Sequence, residues 1–230
     1  MLGIIGAMKV EVESLKQIME DVKILTISGI DFYQGKLCDV DVVVAVSGVG
    51  KVNAAVCTQT MIIKFNVDAV INVGVAGTLT KKLNVCDIAV ATSVVEHDMD
   101  TSPLGDPVGF VSGLDMIYMN CDKKVSDMLY NAANTIDGVN VEKGVIASGD
   151  QFISGGEKKQ YIVDNFNAIA AEMEGASIGH VCTVNKIPFG ILRAISDGAD
   201  DGAPMSYEEF TVKAVKNSIS IILEFLKAWK

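Results

Sequence analysis

Arginine is almost absent from this sequence of 230 residues, and Arg193 is its single example. The other basic side chains are scattered lysines that never form a cluster longer than a pair, and the formal net charge is -10. Such a chain is repelled by phosphate backbones and by anionic lipids. We therefore expect neither nucleic acid nor a membrane surface as a partner.

Paired cysteines and long apolar runs are also missing. The five cysteines are widely separated and never form a C-x-x-C pair, which argues against zinc and favours buried thiols in a reducing compartment. No apolar stretch reaches the roughly 18 residues that a membrane span requires. Residues 1–8 show no basic leader or cleavage pattern. We expect a cytoplasmic protein that binds no metal.

The pattern of apolar residues predicts the fold class. Hydrophobic residues make up 50% of the chain and the mean hydropathy is +0.36, enough for one large core. Short apolar runs bounded by Gly or Asp alternate with helical patterns. This alternation predicts one α/β domain over residues 1–230, with three αβα layers and a central mixed, mostly parallel sheet.

The same pattern predicts the individual elements. The predicted strands are residues 2–6, 24–28, 31–37, 42–47, 69–75, 87–95, 141–147, 168–171 and 189–195. The predicted helices are residues 9–19, 51–65, 123–136, 158–165, 173–185 and about 207–229. Residues 98–115 form the largest irregular stretch, which is typical of a lid, a binding loop or an interface.

Arg193 stands near the end of the apolar run 187–195, which has the length and β-branched content of a buried strand. Burying a guanidinium is unfavourable unless carboxylates or a ligand accept from its donors. The position therefore predicts either a polar functional site or a structural ion pair, and the local pattern leaves both open.

Three glycine-rich segments, residues 3–6, 48–53 and 74–77, accompany predicted strands. Segment 48–53 has the first two glycines of a dinucleotide fingerprint but Asn53 in place of the third, and no Ser or Thr follows Lys51 as a P-loop requires. The other two segments match neither pattern. All three are interpreted either as pocket walls at strand ends or as tight β-to-α turns.

Several carboxylates lie at element boundaries. Glu11 falls in the first turn of the first predicted helix, where it suits either a catalytic base or a surface acid. Glu172 and Glu174 lie where a strand passes into a helix, so they point in different directions and one of them can be structural. Phe152 follows another strand and offers a flat face for a purine, with ordinary core packing as the alternative.

Six segments together resemble one family. They are GIIGAMKVE at 3–11, SGVGKVNAA at 47–55, INVGVAGTL at 71–79, SGDQFI at 148–153, AEMEG at 171–175 and RAISDGAD at 193–200. In order and spacing they resemble the methylthioadenosine/S-adenosylhomocysteine nucleosidases of the nucleoside phosphorylase superfamily. The resemblance implies a homodimer without metal or organic cofactor. It also implies a small purine nucleoside as substrate and hydrolysis of the adenine N-glycosidic bond.

The resemblance also implies a role for each matching residue. Glu11 would activate the attacking water, and Asp197 would protonate adenine at N7. Ser196 would hold Asp197, while Arg193 would hold the water and its carboxylate neighbours. The implied substrate-binding residues are Met8, Val49, Val75, Gly77, Phe152, Ile153, Glu172, Met173, Glu174 and Tyr207.

Within this set, the resemblance assigns specific contacts. Glu174 would bind a ribose hydroxyl, Phe152 would stack on adenine, and the Ile153 backbone would contact the base edge. The loop at 98–113 resembles the segment with which a dimer partner closes the thioether pocket. Val75 departs from the family pattern, which often has Ser there and so a hydroxyl near the water. The glycine-rich segment 197–202 predicts a mobile flap over the purine.

The shortage of arginine favours hydrolysis over phosphorolysis, because a phosphate nucleophile needs several converging cationic donors. Asn72 stands where the phosphorylases resembling this chain place an arginine, and Val75 removes a phosphate-binding hydroxyl. Two further alternatives remain. One is an aminofutalosine nucleosidase, whose substrate shares the adenosine half, and the other is a nucleoside-binding protein without catalysis.

Overall fold

Strands and helices alternate along most of the chain. The computed structural model describes residues 1–199 and 203–229, with the backbone alone at 203–206 and 208–209. The strands are β1 (Leu2–Gly6), β2 (Glu20–Ile27), β3 (Ile30–Leu37), β4 (Val40–Val46), β5 (Ala69–Thr78), β6 (Ile88–Glu96), β7 (Met119–Asn120), β8 (Val141–Ser148), β9 (Ala168–Glu172) and β10 (Phe189–Asp197). The helices are α1 (Lys9–Gln17), α2 (Lys51–Phe65), α3 (Lys123–Ala133), α4 (Gly156–Phe166), α5 (Gly175–Asn185) and α6 (Ala203–Ala228), with a short 3-10 helix at Ser102–Leu104.

One sheet joins these strands in the order β10-β6-β8-β9-β5-β1-β4-β3-β2, with β7 paired to β6. Because β10 also pairs with β5, the strands β5, β10, β6, β8 and β9 close into a ring, from which β1, β4, β3 and β2 extend. Strands β1, β5 and β10 run parallel, so the segments that follow them lie at one end of the sheet.

The predicted α/β class with a mixed sheet is confirmed. Among the described strands, the parallel pairings match more residues in total than the antiparallel ones, as predicted, although the two kinds are equal in number. The antiparallel pairings arise because β2, β3 and β4 form hairpins, while β5–β9 and β6–β10 are the reversals that close the ring. Ring closure joins strands distant in sequence, which local periodicity does not report.

Helices cover both faces of the sheet. Val70 and Ile71 are neighbours in β5 and point to opposite faces, as strand geometry requires. Ile71 packs in a core with residues of α1, α3 and α6, whereas Val70 packs in a second core with residues of α2 and α5. The three-layer arrangement is therefore as predicted. No helix in the described part of the chain is long and apolar enough to span a membrane.

Some boundaries differ from the predictions for identifiable reasons. Strand β5 continues to Thr78 and β10 to Asp197, beyond the predicted ends at 75 and 195, because glycine and polar residues carry no apolar strand signal. Strand β7 is only two residues long, too short for a period to show. Helix α6 begins at Ala203 rather than near 207.

The expectation of buried thiols is only partly correct. All five cysteines are free, and Cys57, Cys121 and Cys182 are buried. Cys38, however, is exposed and Cys86 is half-buried. Cys38 lies between β3 and β4 with a φ of 50°, so it belongs to a surface turn rather than to the core.

Candidate active site

A pocket lies where the carboxyl-terminal ends of β5, β9 and β10 meet the segments that follow β1, β4 and β8. The predicted site residues that line it are Met8, Glu11, Val49, Val75, Gly77, Phe152, Glu172, Met173, Glu174, Ser196, Asp197 and Tyr207. Sequence reasoning missed Ala7, Ala76 and Ala171, which also line it. Their small side chains carry no chemical signal, although each lies inside one of the six segments that resemble the family.

Arg193 lies behind the pocket wall and is only 1% exposed. Its Nε donates to Glu172 Oε2 at 3.1 Å, and its Nη2 donates to Glu172 and to Asn72 Oδ1. Nη2 also lies 3.7 Å from Glu174 Oε2. Arg193 therefore forms a buried ion pair that reaches the carboxylates of the pocket, and its predicted role at the attacking water stays a prediction.

Glu172 is the structural member of its carboxylate pair. In addition to Arg193, it accepts hydrogen bonds from Ser148 Oγ, from the Gly175 N–H at 2.8 Å and from the Glu174 N–H at 3.1 Å. Burial alone would raise the pKa of Glu172, but the Arg193 charge and these donors outweigh it and hold the pKa below its usual value. Glu172 lines the pocket as an anion whose oxygens are bound by the protein.

Glu174 has a different electrostatic environment from Glu172, although the two are separated by one residue. One oxygen accepts the Gly50 N–H at 2.8 Å. Burial and the nearby Glu172 charge raise the pKa of Glu174 to about 7, against the opposing effect of Arg193. Near neutral pH this carboxyl can accept a hydrogen bond or donate one, which suits a sugar hydroxyl.

Glu11 is buried, so its interpretation as a surface acid is wrong. Its carboxylate accepts the Met8 N–H at 2.9 Å and the Val75 N–H at 3.2 Å. Burial raises the pKa of Glu11, although the Arg193 charge and the backbone donors act in the opposite direction. A carboxylate with a raised pKa is a better proton acceptor. The contact from Val75 shows that this residue serves the site through its backbone.

Asp197 is held at the end of β10 by its own loop. Ser196 Oγ donates to Asp197 Oδ2 at 2.8 Å, which is the contact predicted for Ser196, and the Ala199 N–H donates to Oδ1 at 2.9 Å. A Cβ at Gly77 would lie 2.6 Å from Asp197 Oδ1. Gly77 thus gives this carboxylate room against β5. The predicted flap includes residues 200–202, which lie outside the described residues.

Aromatic and thioether groups form the apolar wall of the pocket. Phe152 is 45% exposed, so core packing is not its role. Its ring meets Tyr207 edge-on at 5.6 Å between centroids, and the Tyr207 hydroxyl donates to Met8 Sδ at 3.0 Å. The Ile153 side chain is absent from this wall and packs in the core beside Ile162 and Phe166. The contact predicted for its backbone stays a prediction.

The interpretation of the glycine segments as tight turns is wrong for two of the three. Residues 3–6 lie inside β1, and residues 74–77 lie inside β5. A Cβ at Gly74 would lie 2.5 Å from Arg193 Nη1 and 2.6 Å from Glu11 Oε1, so glycine lets these charges approach the strand. The segment at 48–53 does turn, with a φ of 98° at Gly50, and it also supplies the N–H that binds Glu174.

Comparison with known proteins places the chain in a family. A sequence model described as the phosphorylase superfamily matches residues 1–227. The chain belongs to the phosphorylase superfamily. Within it, the chain is 37% identical over 231 residues to the 5'-methylthioadenosine/S-adenosylhomocysteine nucleosidase of Staphylococcus carnosus, covering 99% of this chain and 100% of that protein.

Two further superfamily members are similarly close. The aminodeoxyfutalosine nucleosidase of Helicobacter pylori is 37% identical over 222 residues, covering 96% of each protein. The crystal structure of the Neisseria meningitidis 5'-methylthioadenosine/S-adenosylhomocysteine nucleosidase, in complex with methylthio-immucillin-A, superposes with a TM-score of 0.95. The two sequences are 38% identical, and the superposition covers 99% of this chain and 98% of the Neisseria meningitidis chain. The family predicted from the motifs is thus confirmed.

Gly77→Ala should destabilise this phosphorylase-superfamily protein. The added methyl group would lie 2.6 Å from Asp197 Oδ1 and 2.9 Å from Ala199 Cβ, so the loop must shift. We expect a loss of about 1–3 kcal/mol in the free energy of unfolding, measured by denaturant titration. Gly113→Ala is the control because a Cβ there meets no atom within 4 Å, and equal stability of the two variants would contradict the packing described.

Glu174→Gln should change how the stability of this protein depends on pH. Because the folded-state pKa of about 7 exceeds the usual 4.5, the stabilisation from Glu174 is complete below 4.5 and is lost as pH rises through about 7. Glutamine mimics the protonated form. As pH rises from about 5 to about 8, the free energy of unfolding of the variant should increase by about 2–3 kcal/mol relative to that of wild type, as measured by chemical unfolding. Parallel pH profiles would show that Glu174 ionises normally.

Proposed function

We propose that this protein hydrolyses the adenine N-glycosidic bond of 5'-methylthioadenosine and S-adenosylhomocysteine, releasing adenine and the 5-thioribose product. The observation that carries the proposal is the set of buried carboxylates with unlike environments around one pocket with an aromatic wall. The relatives named for these two substrates, similar over almost the whole chain, give independent support.

On the adenine side, Asp197 acts as the general acid. Breaking the glycosidic bond sends an electron pair into the purine, and protonation at N7 makes adenine a better leaving group. Asp197 enters the reaction protonated and leaves it as the carboxylate that Ser196 and the Ala199 N–H bind. Phe152, exposed within the pocket, provides the face on which the base stacks.

On the sugar side, Glu11 acts as the base that takes a proton from the attacking water. Departure of adenine leaves an oxocarbenium-like ribosyl cation, which negative charge nearby stabilises. Glu174 binds the ribose hydroxyls, since its pKa near 7 allows the carboxyl to donate or accept. These side chains supply the chemistry of the step, so the proposal requires no metal or organic cofactor.

The contacts of Arg193 favour water over phosphate as the nucleophile. Its Nε and Nη2 already bind Glu172 and Asn72, and Arg193 is the single arginine of the chain. A phosphate dianion beside Glu11, Glu172 and Glu174 would face carboxylates rather than a cluster of guanidinium groups. Hydrolysis is the reaction that this charge distribution supports.

An aminodeoxyfutalosine nucleosidase is the second candidate, because the Helicobacter pylori relative of that name has the same 37% identity. Both substrates share the adenosine half and differ beyond the 5' carbon, so the adenine and ribose contacts serve either one. Hydrolysis of 5'-methylthioadenosine and S-adenosylhomocysteine would place the protein in methionine salvage. Hydrolysis of aminodeoxyfutalosine would place it in menaquinone synthesis. Met8 and Val49 make the pocket wall apolar, which favours a thioether substituent.

Adenine release is the measurement that tests this proposal. We expect release from 5'-methylthioadenosine and S-adenosylhomocysteine at rates unaffected by phosphate, with aminodeoxyfutalosine as the competing substrate and inosine as the purine control. Dependence on phosphate would contradict the argument from Arg193. Tight binding of adenosine analogues without any release would identify a nucleoside-binding protein instead.

Asp197→Asn and Glu11→Gln serve as controls in the same assay. Each replaces a proton-transferring carboxyl by an amide of similar shape, so we expect loss of turnover by at least about 100-fold, with binding of an adenosine analogue largely kept. Turnover at the wild-type rate in either variant would rule out the role proposed for that residue.

We also propose that the enzyme is a homodimer formed through α2. Val52, Val56 and Ile63 are exposed on α2 at a spacing that places them on one helical face. Gln59 of the same helix binds Asn185 of α5, beside the exposed Val184, so apolar groups of both helices share this surface. Exposed apolar surface of this kind is typical of a protein interface.

A second copy of the chain is the proposed occupant because the loop at 98–113 is also suited to reach a neighbour. Leu104 within this loop is 84% exposed. In the dimer, this loop would close the thioether end of the partner's pocket. We further propose a cytoplasmic enzyme whose residues 1–230 form one domain, supported by the free cysteines and by the superfamily match over residues 1–227.

Val52→Asp should weaken the dimer, because it places a charge on the proposed interface. We expect sedimentation velocity to show a dimer for wild type and a shift towards monomer for the variant. Val212→Asp on α6 is the matched control, since Val212 is 70% exposed and Val52 is 73% exposed. A monomeric wild type, or equal behaviour of the two variants, would contradict the proposed interface.

A further inference from the structure

Lys159 contacts the loop that carries Asp197, although it belongs to α4. Its Nζ donates to the Gly198 carbonyl oxygen at 2.6 Å. This carbonyl belongs to the same peptide group as the Ala199 N–H, which donates to Asp197 Oδ1 at 2.9 Å. One peptide group therefore links the ammonium of Lys159 to the carboxylate of Asp197.

A cation bound to a carbonyl oxygen polarises the whole peptide group and strengthens its N–H as a donor. Lys159 thus acts electrostatically on Asp197 without touching it. The backbone of Lys159 is fixed in place, because Ile162 and Phe166 of the same helix are buried in the core. The lysine can therefore fix the loop in place as well as polarise it.

We propose that Lys159 is a positioning residue for Asp197, holding and polarising the Gly198–Ala199 peptide that binds its carboxylate. The inference rests on the proposed function, in which Asp197 is the general acid. During the reaction the Asp197 proton moves to adenine N7, the glycosidic bond breaks, and negative charge develops on the Asp197 carboxylate. The Ala199 hydrogen bond strengthens as that charge develops, so Lys159 acts on the chemical step more than on substrate binding.

The neighbouring lysine provides a matched control. Lys158 is on the same helix and carries the same charge, but its Nζ binds Gln151 Oε1 at 2.9 Å rather than the Asp197 loop. Removing either charge changes the net charge of the protein equally. A difference between the two variants therefore reports the contact with Gly198 and not the overall field.

Steady-state adenine release from 5'-methylthioadenosine by Lys159→Met, Lys159→Arg and Lys158→Met tests the inference. We expect Lys159→Met to lower kcat about tenfold with KM within about twofold, since a charge-assisted hydrogen bond of ordinary strength is lost. Lys159→Arg keeps the cation and should retain most of kcat. Lys158→Met should behave as wild type, and all three should unfold at the wild-type temperature.

Wild-type kcat in Lys159→Met would overturn the inference. A raised KM or a lowered unfolding temperature with kcat unchanged would also overturn it, because either result would mean that Lys159 has a structural role only. An equal loss in Lys159→Arg and Lys159→Met would also contradict the role of the charge. Asp197→Asn, measured alongside, separates the Lys159 inference from the proposed function. If Asp197→Asn releases adenine at the wild-type rate, the acid role proposed for Asp197 is wrong. If Asp197→Asn is inactive while Lys159→Met is fully active, only the Lys159 inference is refuted.

Discussion

The buried ion pair between Arg193 and Glu172 is the interaction on which the rest of the site depends. A guanidinium inside β10 would be strongly unfavourable without a carboxylate partner. Glu172 is that partner, and its carboxylate also accepts hydrogen bonds from Ser148 and Gly175. Arg193 is bound mainly by Glu172. Its charge therefore lowers the pKa values of Glu174 and Glu11 by less than burial raises them. One cation thus keeps one carboxylate ionised and leaves two others with raised pKa values, which is the division that acid-base chemistry requires.

The sheet makes this crowding of charge possible by using very small residues. Gly74 and Gly77 lie inside β5, where glycine normally weakens a strand, yet any side chain there would collide with Arg193, Glu11 or Asp197. Ring closure between β5 and β10 brings Asp197 opposite Gly77. The local weakness of β5 is offset by its central place in the sheet, with β1, β9 and β10 as neighbours.

Much of this arrangement could be predicted from the sequence. Apolar periodicity located the main helices and strands, and the isolated Arg193 indicated a polar site at the end of a buried strand. The motif resemblance identified most of the residues that line the pocket, whereas the Ile153 side chain packs in the core and Arg193 lies behind the pocket wall. These successes share a cause, because burial period and unusual charge placement are local properties of the chain.

The remaining features depend on contacts between distant segments. The position of Glu172 and Glu174 predicts that one of them can be structural, but only the contacts with Ser148, Gly50 and Arg193 show that it is Glu172. The glycines of β5 read as a turn because their reason for being there is a carboxylate from another element. The antiparallel closure of the ring and the link from Lys159 to the Asp197 loop likewise leave no trace in local pattern.

The most direct test of this account is a titration of the glutamate carboxyl carbons by NMR, with 13C-labelled protein and Glu→Gln variants for assignment. We predict that Glu172 stays ionised throughout the neutral range, that Glu174 titrates near 7, and that Glu11 titrates above its usual value. If Glu172 and Glu174 instead titrate together at the ordinary value for glutamate, Arg193 does not divide the carboxylates and the account fails.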